Sequence, residues 1–256
     1  AFHDGAEGIG LFRTEMLFMD RSAPPTEDEQ FAVYAATMRA AKGRPVIFRT
    51  LDIGGDKGVE YLGLPEEENP FLGYRAVRLY PAFQEMIDAQ LRALLRASAL
   101  GKAKIMIPMI ASVTEVRAMR VWIDRIKEEL SAAKMAFNPS TEIGIMVEIP
   151  SVAFVMDQLA PLVDFFSIGS NDLTQYFLAV DRGNPKVRGL YSSFTPSFLR
   201  LLKMITDGAH RHCRWVGMCG ELGGKIPAAP LFLGLGLDEI SLASPGLSSI
   251  NNTRIG

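Results

Sequence analysis

The stretch DFFSIGSNDLTQYFLAVDRGN, residues 164–184, decides the fold class. Its first residues form an apolar run, typical of a strand that is buried on both faces of a sheet. Directly after this run come Asn171 and Asp172, and Arg182 follows further along the chain. An amide, a carboxylate and a guanidinium just beyond the end of a buried strand indicate a functional site at the edge of a sheet.

Six other short apolar runs resemble residues 164–169 and are also predicted to be strands. They are EGIGLF (7–12), PVIFRTL (45–51), KIMIPMI (104–110), EIGIMVEI (142–149), WVGMCG (215–220) and EISLA (239–243). Helical patterns lie between them, so the sequence predicts an α/β protein with a parallel sheet. Either an open doubly wound sheet or a (β/α)8 barrel fits this alternation.

Seven strands are one short of a closed (β/α)8 barrel. We therefore expect a TIM-type barrel that lacks its first strand, as a single domain over residues 1–256 and a fragment of a longer chain. The length of 256 residues is ordinary for one such barrel. The long, glycine-containing segment 52–80 is predicted to be a functional loop.

Helix signals support this alternation. Thr26 and Glu29 form a capping-box pattern that predicts a helix to about Lys42. A second helix is expected over residues 81–100 and a third after a cap at Thr114, over residues 115–134. Further helices are expected after four positions: Pro150, Leu173, Pro196 and Pro227.

Composition excludes several classes of protein. The net charge is −2 and no run of Lys and Arg occurs, so no nucleic-acid partner is expected. No apolar stretch is long enough for a transmembrane helix, so no membrane association is expected. Cys213 and Cys219 are the two cysteines, and reduced thiols in a cytoplasmic protein are the preferred interpretation.

Charged or polar residues follow most of the predicted strands at their C-terminal ends. These residues are Arg13, Thr14 and Glu15, Arg49 and Thr50, Glu148, Asn171 and Asp172, and Cys219 and Glu221. Because parallel strands of a barrel place all these ends at one rim, we expect the side chains to converge around a single pocket. The competing interpretation is that each residue forms an ordinary ion pair in a loop. It is less favoured when several strands carry such a residue at the same end.

The arginines indicate the charge of the ligand. Arg13, Arg49 and Arg182 carry forked cations that suit phosphate oxygens, and Arg75 is a fourth candidate. Lys57 in GGDKG (54–58) is an additional candidate phosphate contact. A small, strongly anionic, phosphorylated molecule is the predicted ligand.

Glu148 and Asp172 would partly cancel these arginines unless a metal lies between them. Mg²⁺ prefers one or two carboxylates together with substrate oxygens and water, so the sequence predicts Mg²⁺ as cofactor. Salt bridges to the arginines without a metal are the alternative. Cys219 is either an inert buried thiol or a proton donor to carbon.

Several segments together resemble a known family. They are GLFRTEMLFMDR (10–21), RTLDIGGDKG (49–58), ENPFLGYRAVRLY (68–80), IGSNDLTQY (168–176), VDRGN (180–184) and GMCGEL (217–222). The chain is similar to the phosphoenolpyruvate-binding domain of enzyme I of the bacterial sugar phosphotransferase system. Pyruvate phosphate dikinase and phosphoenolpyruvate synthase share some of these segments, whereas FRTLDIGGDK and ENPFLGYR favour enzyme I.

The resemblance implies a role for each candidate residue. Glu148 and Asp172 are implied to hold Mg²⁺, and Cys219 to be the proton donor at C3 of the enolate. The implied residues for binding phosphoenolpyruvate are Arg13, Arg49, Lys57, Arg75, Asn171, Asp172 and Arg182.

The resemblance also implies partners. The implied acceptor of the phosphoryl group is a histidine on a separate N-terminal domain. A downstream phosphocarrier protein is the next implied partner, and the protein is implied to form a homodimer. His3, His210 and His212 are the histidines of this sequence, and none lies in a recognisable acceptor motif. Two alternatives stay open: the equivalent domain of a dikinase or synthase, and a non-catalytic dimerisation or regulatory module.

Overall fold

A computed structural model describes residues 5–54, 59–224 and 228–242 of the protein. It contains seven strands, which form one sheet in the order of the sequence. They are β1 (Ile9–Arg13), β2 (Val46–Arg49), β3 (Ala103–Ile107), β4 (Ile143–Val147), β5 (Phe165–Gly169), β6 (Trp215–Cys219) and β7 (Glu239–Ile240). All seven predicted strands are therefore confirmed; residue 243, at the end of the last predicted run, lies outside the described residues.

Helices connect successive strands. The α-helices are α1 (Glu27–Ala41), α2 (Gln84–Ser98), α3 (Val113–Ala132), α4 (Met156–Leu159), α5 (Ser170–Leu178), α6 (Pro196–His210) and α7 (Ala229–Leu235). Sequential strand order with helical crossovers is the topology of a (β/α)8 barrel with one strand fewer. The predicted α/β, TIM-type fold is confirmed.

The chain divides into two compact units. One contains Leu11–Met109 and Arg117–Ile143, and within it β2 pairs with β3 in parallel. The other contains Ala1–Gly10, Ile110–Val116 and Gly144–Gly256, and within it β4, β5, β6 and β7 pair in parallel. The single-domain boundary of residues 1–256 stays a prediction.

The start of α1 matches its sequence pattern. The Glu29 backbone N–H donates to the Thr26 hydroxyl, while the Thr26 N–H donates to the Glu29 carboxylate at 2.7 Å. This reciprocal pair satisfies backbone donors that the first helical turn leaves free. The predicted capping box is confirmed.

The start of α3 differs from its prediction. Thr114 lies inside the helix, and the capping side chain is Ser112, whose hydroxyl accepts from the Glu115 N–H. The Glu115 carboxylate accepts from the N–H groups of Ala111 and Ser112 at 2.7 and 2.8 Å. The prediction was wrong by two residues because a serine two positions earlier completes the same cap with Glu115.

The helix predicted after Leu173 begins elsewhere, whereas helical segments do follow Pro150. Pro150 begins a 3₁₀ helix, Pro150–Phe154, that precedes α4, and α5 begins at Ser170. Asn171 and Asp172 therefore lie in the first turn of a helix rather than in a loop. The segment 52–80 contains the 3₁₀ helices Glu60–Leu62, Pro70–Leu72 and Ala76–Arg78, and Lys57 and Pro227 lie outside the described residues.

The core beneath β4, β5 and β6 depends on a glycine. The ring of Phe165 stacks on that of Trp215 with centroids 4.6 Å apart and an interplanar angle of 7°. Gly144 pairs with Phe165 across β4 and β5. A Cβ at Gly144 would lie 2.5 Å from atoms of the Phe165 ring, so this position admits no side chain while the stack is in place.

None of the helices in the described ranges is both long and apolar enough to cross a bilayer.

Replacing Gly144 by alanine tests this packing. We expect Gly144→Ala to lower the free energy of unfolding by about 1–3 kcal/mol, because the added methyl group displaces the Phe165 ring. The control is Gly189→Ala, since a Cβ there meets nothing within 4 Å. Urea denaturation measures both variants; equal losses of stability would contradict this description of the core.

Candidate functional site

Arg49 is the last residue of β2 and is almost completely buried, with 5% of its surface exposed. Its Nη2 lies 2.5 Å from the Glu15 carboxylate, and its Nη1 lies 3.0 Å from that of Asp52. Both carboxylates are buried too. A buried guanidinium needs such partners, because the desolvation of an uncompensated charge is very unfavourable.

Asp52 also holds Arg75. The Nε and Nη2 of Arg75 donate to Asp52 Oδ1 at 3.2 and 3.0 Å, and Nη2 also lies 3.0 Å from Oδ2. Because the same carboxylate contacts Arg49, Asp52 fixes two guanidiniums beside each other. The structure thus brings together Arg49 and Arg75, two of the predicted phosphate-binding residues.

The backbone of the loop is shaped to bring Arg75 to Asp52. Gly54 has φ +94°, and a Cβ there would lie 2.4 Å from the Tyr74 carbonyl oxygen. Ala76 is buried with φ 51°, and its N–H donates to the Ile53 carbonyl. Left-handed backbone at a buried alanine is strained, so the surrounding packing must hold it in place.

Buried hydrogen bonds hold the ends of β1 and β2 together. The Thr14 hydroxyl donates to the Arg49 carbonyl at 2.9 Å and accepts from the Gln90 amide at 3.2 Å. The Gln90 carbonyl oxygen accepts from the Leu51 N–H at 2.9 Å. One glutamine of α2 therefore contacts both Thr14, after β1, and Leu51, after β2.

Tyr80 contributes a further fixed contact at the end of β2. Its hydroxyl lies 2.8 Å from the Thr50 hydroxyl and donates to the Leu51 carbonyl at 2.7 Å. Burial raises the pKa of Tyr80 well above its ordinary value. The phenol consequently stays protonated and remains a donor.

In the sequence, Glu15 was noted among the polar residues after β1 without a role, and Asp52 was missed. A usable signal was present, because each acid follows an arginine and a threonine at a strand end, in Arg13-Thr14-Glu15 and in Arg49-Thr50-Leu51-Asp52. These acids make the group formed by Glu15, Arg49, Asp52 and Arg75, termed the arginine cluster below, neutral when all four are ionised. Arg13 lies at the end of β1 with an exposed side chain, and the predicted site residue Lys57 is outside the described residues.

In the second unit, Glu148 follows β4 and is 2% exposed. A Cβ on Gly169 would lie 2.6 Å from Glu148 Cγ and 2.9 Å from its Oε1. The Glu148 side chain therefore occupies the space above the end of β5, which a glycine leaves open. This contact places the carboxylate beside the residues that lead into α5.

Asp172 is in the first turn of α5 and is 6% exposed. Its Oδ1 lies 3.1 Å from Nη2 of Arg182. The Arg182 N–H donates to the Gln175 side-chain oxygen at 3.1 Å, which fixes the chain where it returns toward α5. The Tyr191 hydroxyl donates to the backbone carbonyl of Asn171 at 3.0 Å.

The salt bridge between Asp172 and Arg182 is the contact that the metal-free alternative predicts for this acid. A carboxylate at a helix N-terminus is also stabilised by the helix dipole. Nevertheless, a carboxylate offers two acceptor oxygens, so a guanidinium contact and a metal contact are compatible in one residue.

Cys219 ends β6 and is 2% exposed. Its Sγ lies 3.5 Å from the Ile168 carbonyl oxygen, to which it donates, and accepts from the Ser167 hydroxyl at 3.6 Å. Gly220 has φ +108°, and a Cβ there would lie 2.5 Å from Ser170 Oγ. The turn after Cys219 therefore requires glycine, and the thiol is held by polar groups rather than by apolar ones alone.

Glu148 and Asp172 fit Mg²⁺ by their chemistry. Both are carboxylates with hard oxygen donors, and Mg²⁺ typically takes one or two protein carboxylates and completes its shell with water and substrate oxygens. Among the residues that the structure describes, no three His, Cys, Asp or Glu side chains are grouped as metal ligands. A complete protein cage is therefore not found in the described part, and a site with two carboxylates is the type that this donor set can form.

The class of protein is defined by a match to a known family. Residues 1–254 match the family described as "PEP-utilising enzyme, PEP-binding domain". The chain belongs to this family of phosphoenolpyruvate-utilising enzymes.

Curated relatives narrow the class. The chain is 53% identical over 252 residues to multiphosphoryl transfer protein 1 of Escherichia coli (strain K12), covering 98% of this chain and 30% of the relative. It is 50% identical over 247 residues to phosphoenolpyruvate-protein phosphotransferase of Buchnera aphidicola, covering 96% of this chain and 43% of the relative. The predicted resemblance to enzyme I is confirmed, and the chain spans less than half the length of these relatives.

Solved structures support the fold alone. A Haloferax volcanii malate synthase in a magnesium/glyoxylate complex aligns with a TM-score of 0.59 and 12% identity, over 90% of this chain and 62% of that one. An HpcH/HpaI aldolase from Desulfitobacterium hafniense aligns with a TM-score of 0.51 and 12% identity, over 98% and 82% of the two chains.

Proposed function

We propose that this chain is the phosphoenolpyruvate-binding catalytic domain of a cytoplasmic phosphoenolpyruvate-protein phosphotransferase. It takes the phosphoryl group from phosphoenolpyruvate and delivers it to a histidine on a separate domain, in the first step of sugar uptake by a phosphotransferase system. The observation that carries the proposal is the identity of at least 50% between nearly the whole chain and relatives named as phosphotransferases. Both relatives described above are named for phosphoryl transfer between proteins or from phosphoenolpyruvate to protein, so enzyme I is the favoured type.

Arg49 and Arg75 supply the fixed positive groups for the substrate. Their shared contact with Asp52 supports this role, because guanidiniums that are already oriented need no reorganisation when charge develops on the phosphoryl oxygens. The further substrate-binding residues proposed are Arg13, Lys57, Asn171, Asp172 and Arg182. The reaction needs mainly positioning and electrostatic stabilisation, since the transition state of phosphoryl transfer is loose.

Mg²⁺ is the proposed cofactor, with Glu148 and Asp172 as its protein ligands. When bound, the ion would neutralise part of the charge on the phosphoryl oxygens. The salt bridge of Asp172 with Arg182 supports this assignment, because it holds the carboxylate at the start of α5. Asn171 is proposed to hold a substrate oxygen from the adjacent position in the same helical turn.

Cys219 completes the reaction. When the P–O bond of phosphoenolpyruvate breaks, the P–N bond to the acceptor histidine forms and the electron pair stays on the enolate. The Cys219 thiol then gives its proton to C3, which yields pyruvate and a thiolate that solvent protonates again. The contact with the Ser167 hydroxyl supports this role, because a hydroxyl donor stabilises the thiolate that forms.

The proposed partners follow from the same assignment. The phosphoryl group passes from the histidine domain to a downstream phosphocarrier protein, and the intact protein acts as a homodimer. These proposals rest on the relatives, of which this chain covers 30–43%.

Phosphoryl transfer in the intact protein tests the proposed function. With phosphoenolpyruvate that carries a radiolabelled phosphoryl group and Mg²⁺, we expect the protein to become labelled. The label should be acid-labile and base-stable, as phosphohistidine is. No labelling is expected when the metal is chelated before the substrate is added. Glu148→Gln should slow labelling about a hundredfold or more, because removing a metal ligand forfeits several kcal/mol of transition-state stabilisation. Glu142→Gln is the matched control, since Glu142 pairs with Lys104 and has no proposed role; labelling that ignores Glu148→Gln would reject the metal assignment.

Proton transfer by Cys219 is tested with the other cysteine as control. Exchange of the methyl protons of pyruvate with deuterated water, followed by NMR, should fall by a factor of about 10²–10⁴ in Cys219→Ser, the usual effect of removing a general acid or base. Cys213→Ser should exchange like the unaltered protein, because Cys213 is exposed and has no proposed role. Equal rates in the two variants would remove Cys219 from the mechanism.

A further inference from the structure

We propose that Glu15 sets the affinity for the substrate, because its carboxylate competes with the substrate anion for the guanidinium of Arg49. The inference rests on the proposed function, in which Arg49 binds phosphoenolpyruvate. It assigns to Glu15 a role that differs from that of Asp52, the other acid of the arginine cluster.

The position of Glu15 is fixed by the turn that follows β1. Glu15 begins the 3₁₀ helix Glu15–Leu17 and is 4% exposed. Its carbonyl accepts from the N–H of Phe18 at 2.9 Å, and the Thr14 carbonyl accepts from the N–H of Leu17 at 3.0 Å. The backbone therefore places the carboxylate where it accepts a charge-assisted hydrogen bond from Arg49 Nη2.

The two acids of the cluster differ in what they hold. Asp52 contacts two guanidiniums and uses both oxygens, so it positions Arg49 relative to Arg75. In the part of the chain that the structure describes, the ion pair of Glu15 is with Arg49. Glu15 is therefore not needed to align the two arginines, and its remaining effect on the site is its charge.

A buried ion pair contributes little net stability, since the desolvation of both charges offsets much of their attraction. The charge of Glu15 nevertheless acts on any anion that approaches Arg49. Two anions on one guanidinium repel each other strongly where the effective dielectric constant is low. With Glu15 and Asp52 ionised, the arginine cluster is neutral, so a phosphorylated anion meets less attraction than two free arginines would give.

A weaker affinity for the substrate in its ground state is compatible with efficient turnover. Tight binding of substrate that is not strengthened in the transition state lowers KM without raising kcat. Glu15 is thus expected to raise KM. Asp52 and the hydrogen bonds around Thr14, rather than Glu15, align Arg49.

Glu15→Gln tests the inference in the intact protein. Glutamine keeps the length of the side chain and an oxygen that can accept from Arg49, but removes the charge. We expect the Kd for phosphoenolpyruvate in calorimetry, and KM in phosphoryl transfer, to fall about tenfold, which corresponds to about 1.4 kcal/mol. kcat should not rise, because the removed repulsion acts on the bound substrate as well as on the transition state.

Glu29→Gln is the matched control. Glu29 forms an exposed pair with Arg21 at 2.6 Å, outside the arginine cluster, and glutamine can keep its place in the capping box. Its Kd for phosphoenolpyruvate should equal that of the unaltered protein. This control separates the loss of a charge anywhere in the chain from the loss of the charge at Arg49.

Each outcome decides one of the assignments. Unchanged or weaker binding by a folded Glu15→Gln variant, with a normal thermal melt, overturns the competition and makes Glu15 a positioning residue. If Glu15→Gln does not fold, Glu15→Asp draws the charge back by one methylene and should bind about two- to threefold more tightly; weaker binding would overturn the inference. An unaltered protein that binds no phosphoenolpyruvate removes the proposed function, and this inference with it.

Discussion

The buried carboxylate of Asp52 is the contact on which the rest of the arginine cluster depends. It lies between Arg49 and Arg75 and hydrogen-bonds to both. Without it, two guanidiniums with almost no exposure to water would lose the carboxylate that they share, which is strongly unfavourable for buried charges. The left-handed backbone at Gly54 and Ala76 brings Arg75 into reach of this carboxylate. Strain in the loop is thus offset by an ion pair at the point where the arginines are needed.

In the second unit, too, a buried carboxylate is paired with a guanidinium beyond the end of a strand. There the buried acid Asp172 is held by one partly exposed guanidinium, that of Arg182. Gly169 and Gly220 leave room for Glu148 and Ser170, so the ends of β5 and β6 carry polar groups without steric conflict. In this unit, small residues at strand ends give polar side chains the space to pack beside the backbone.

Much of the fold was predictable from the sequence, because buried parallel strands leave continuous apolar runs and each helix carries its own start signal. The start of α3 was not, since Ser112 and Thr114 are both good caps and the choice depends on where Glu115 folds back. The arginines and acids at strand ends were named as candidates from the sequence, and their roles in a site stay predictions. The pairing of Glu15 and Asp52 with the arginines was missed, because a sequence shows charges but not which of them are buried against each other.

The roles of the site residues depend on whether Arg49 binds the substrate through its fork of N–H groups. The most direct measurement is the Kd for phosphoenolpyruvate, by calorimetry with Mg²⁺, of Arg49→Lys beside Arg125→Lys. Lysine keeps the charge that Glu15 and Asp52 require but cannot present the planar fork, so we expect Arg49→Lys to bind about tenfold more weakly or worse. Arg125→Lys, which changes a partly exposed arginine paired with Asp88 and Glu129, should bind normally. Equal affinity in both variants would contradict the assignment of the arginine cluster to the substrate.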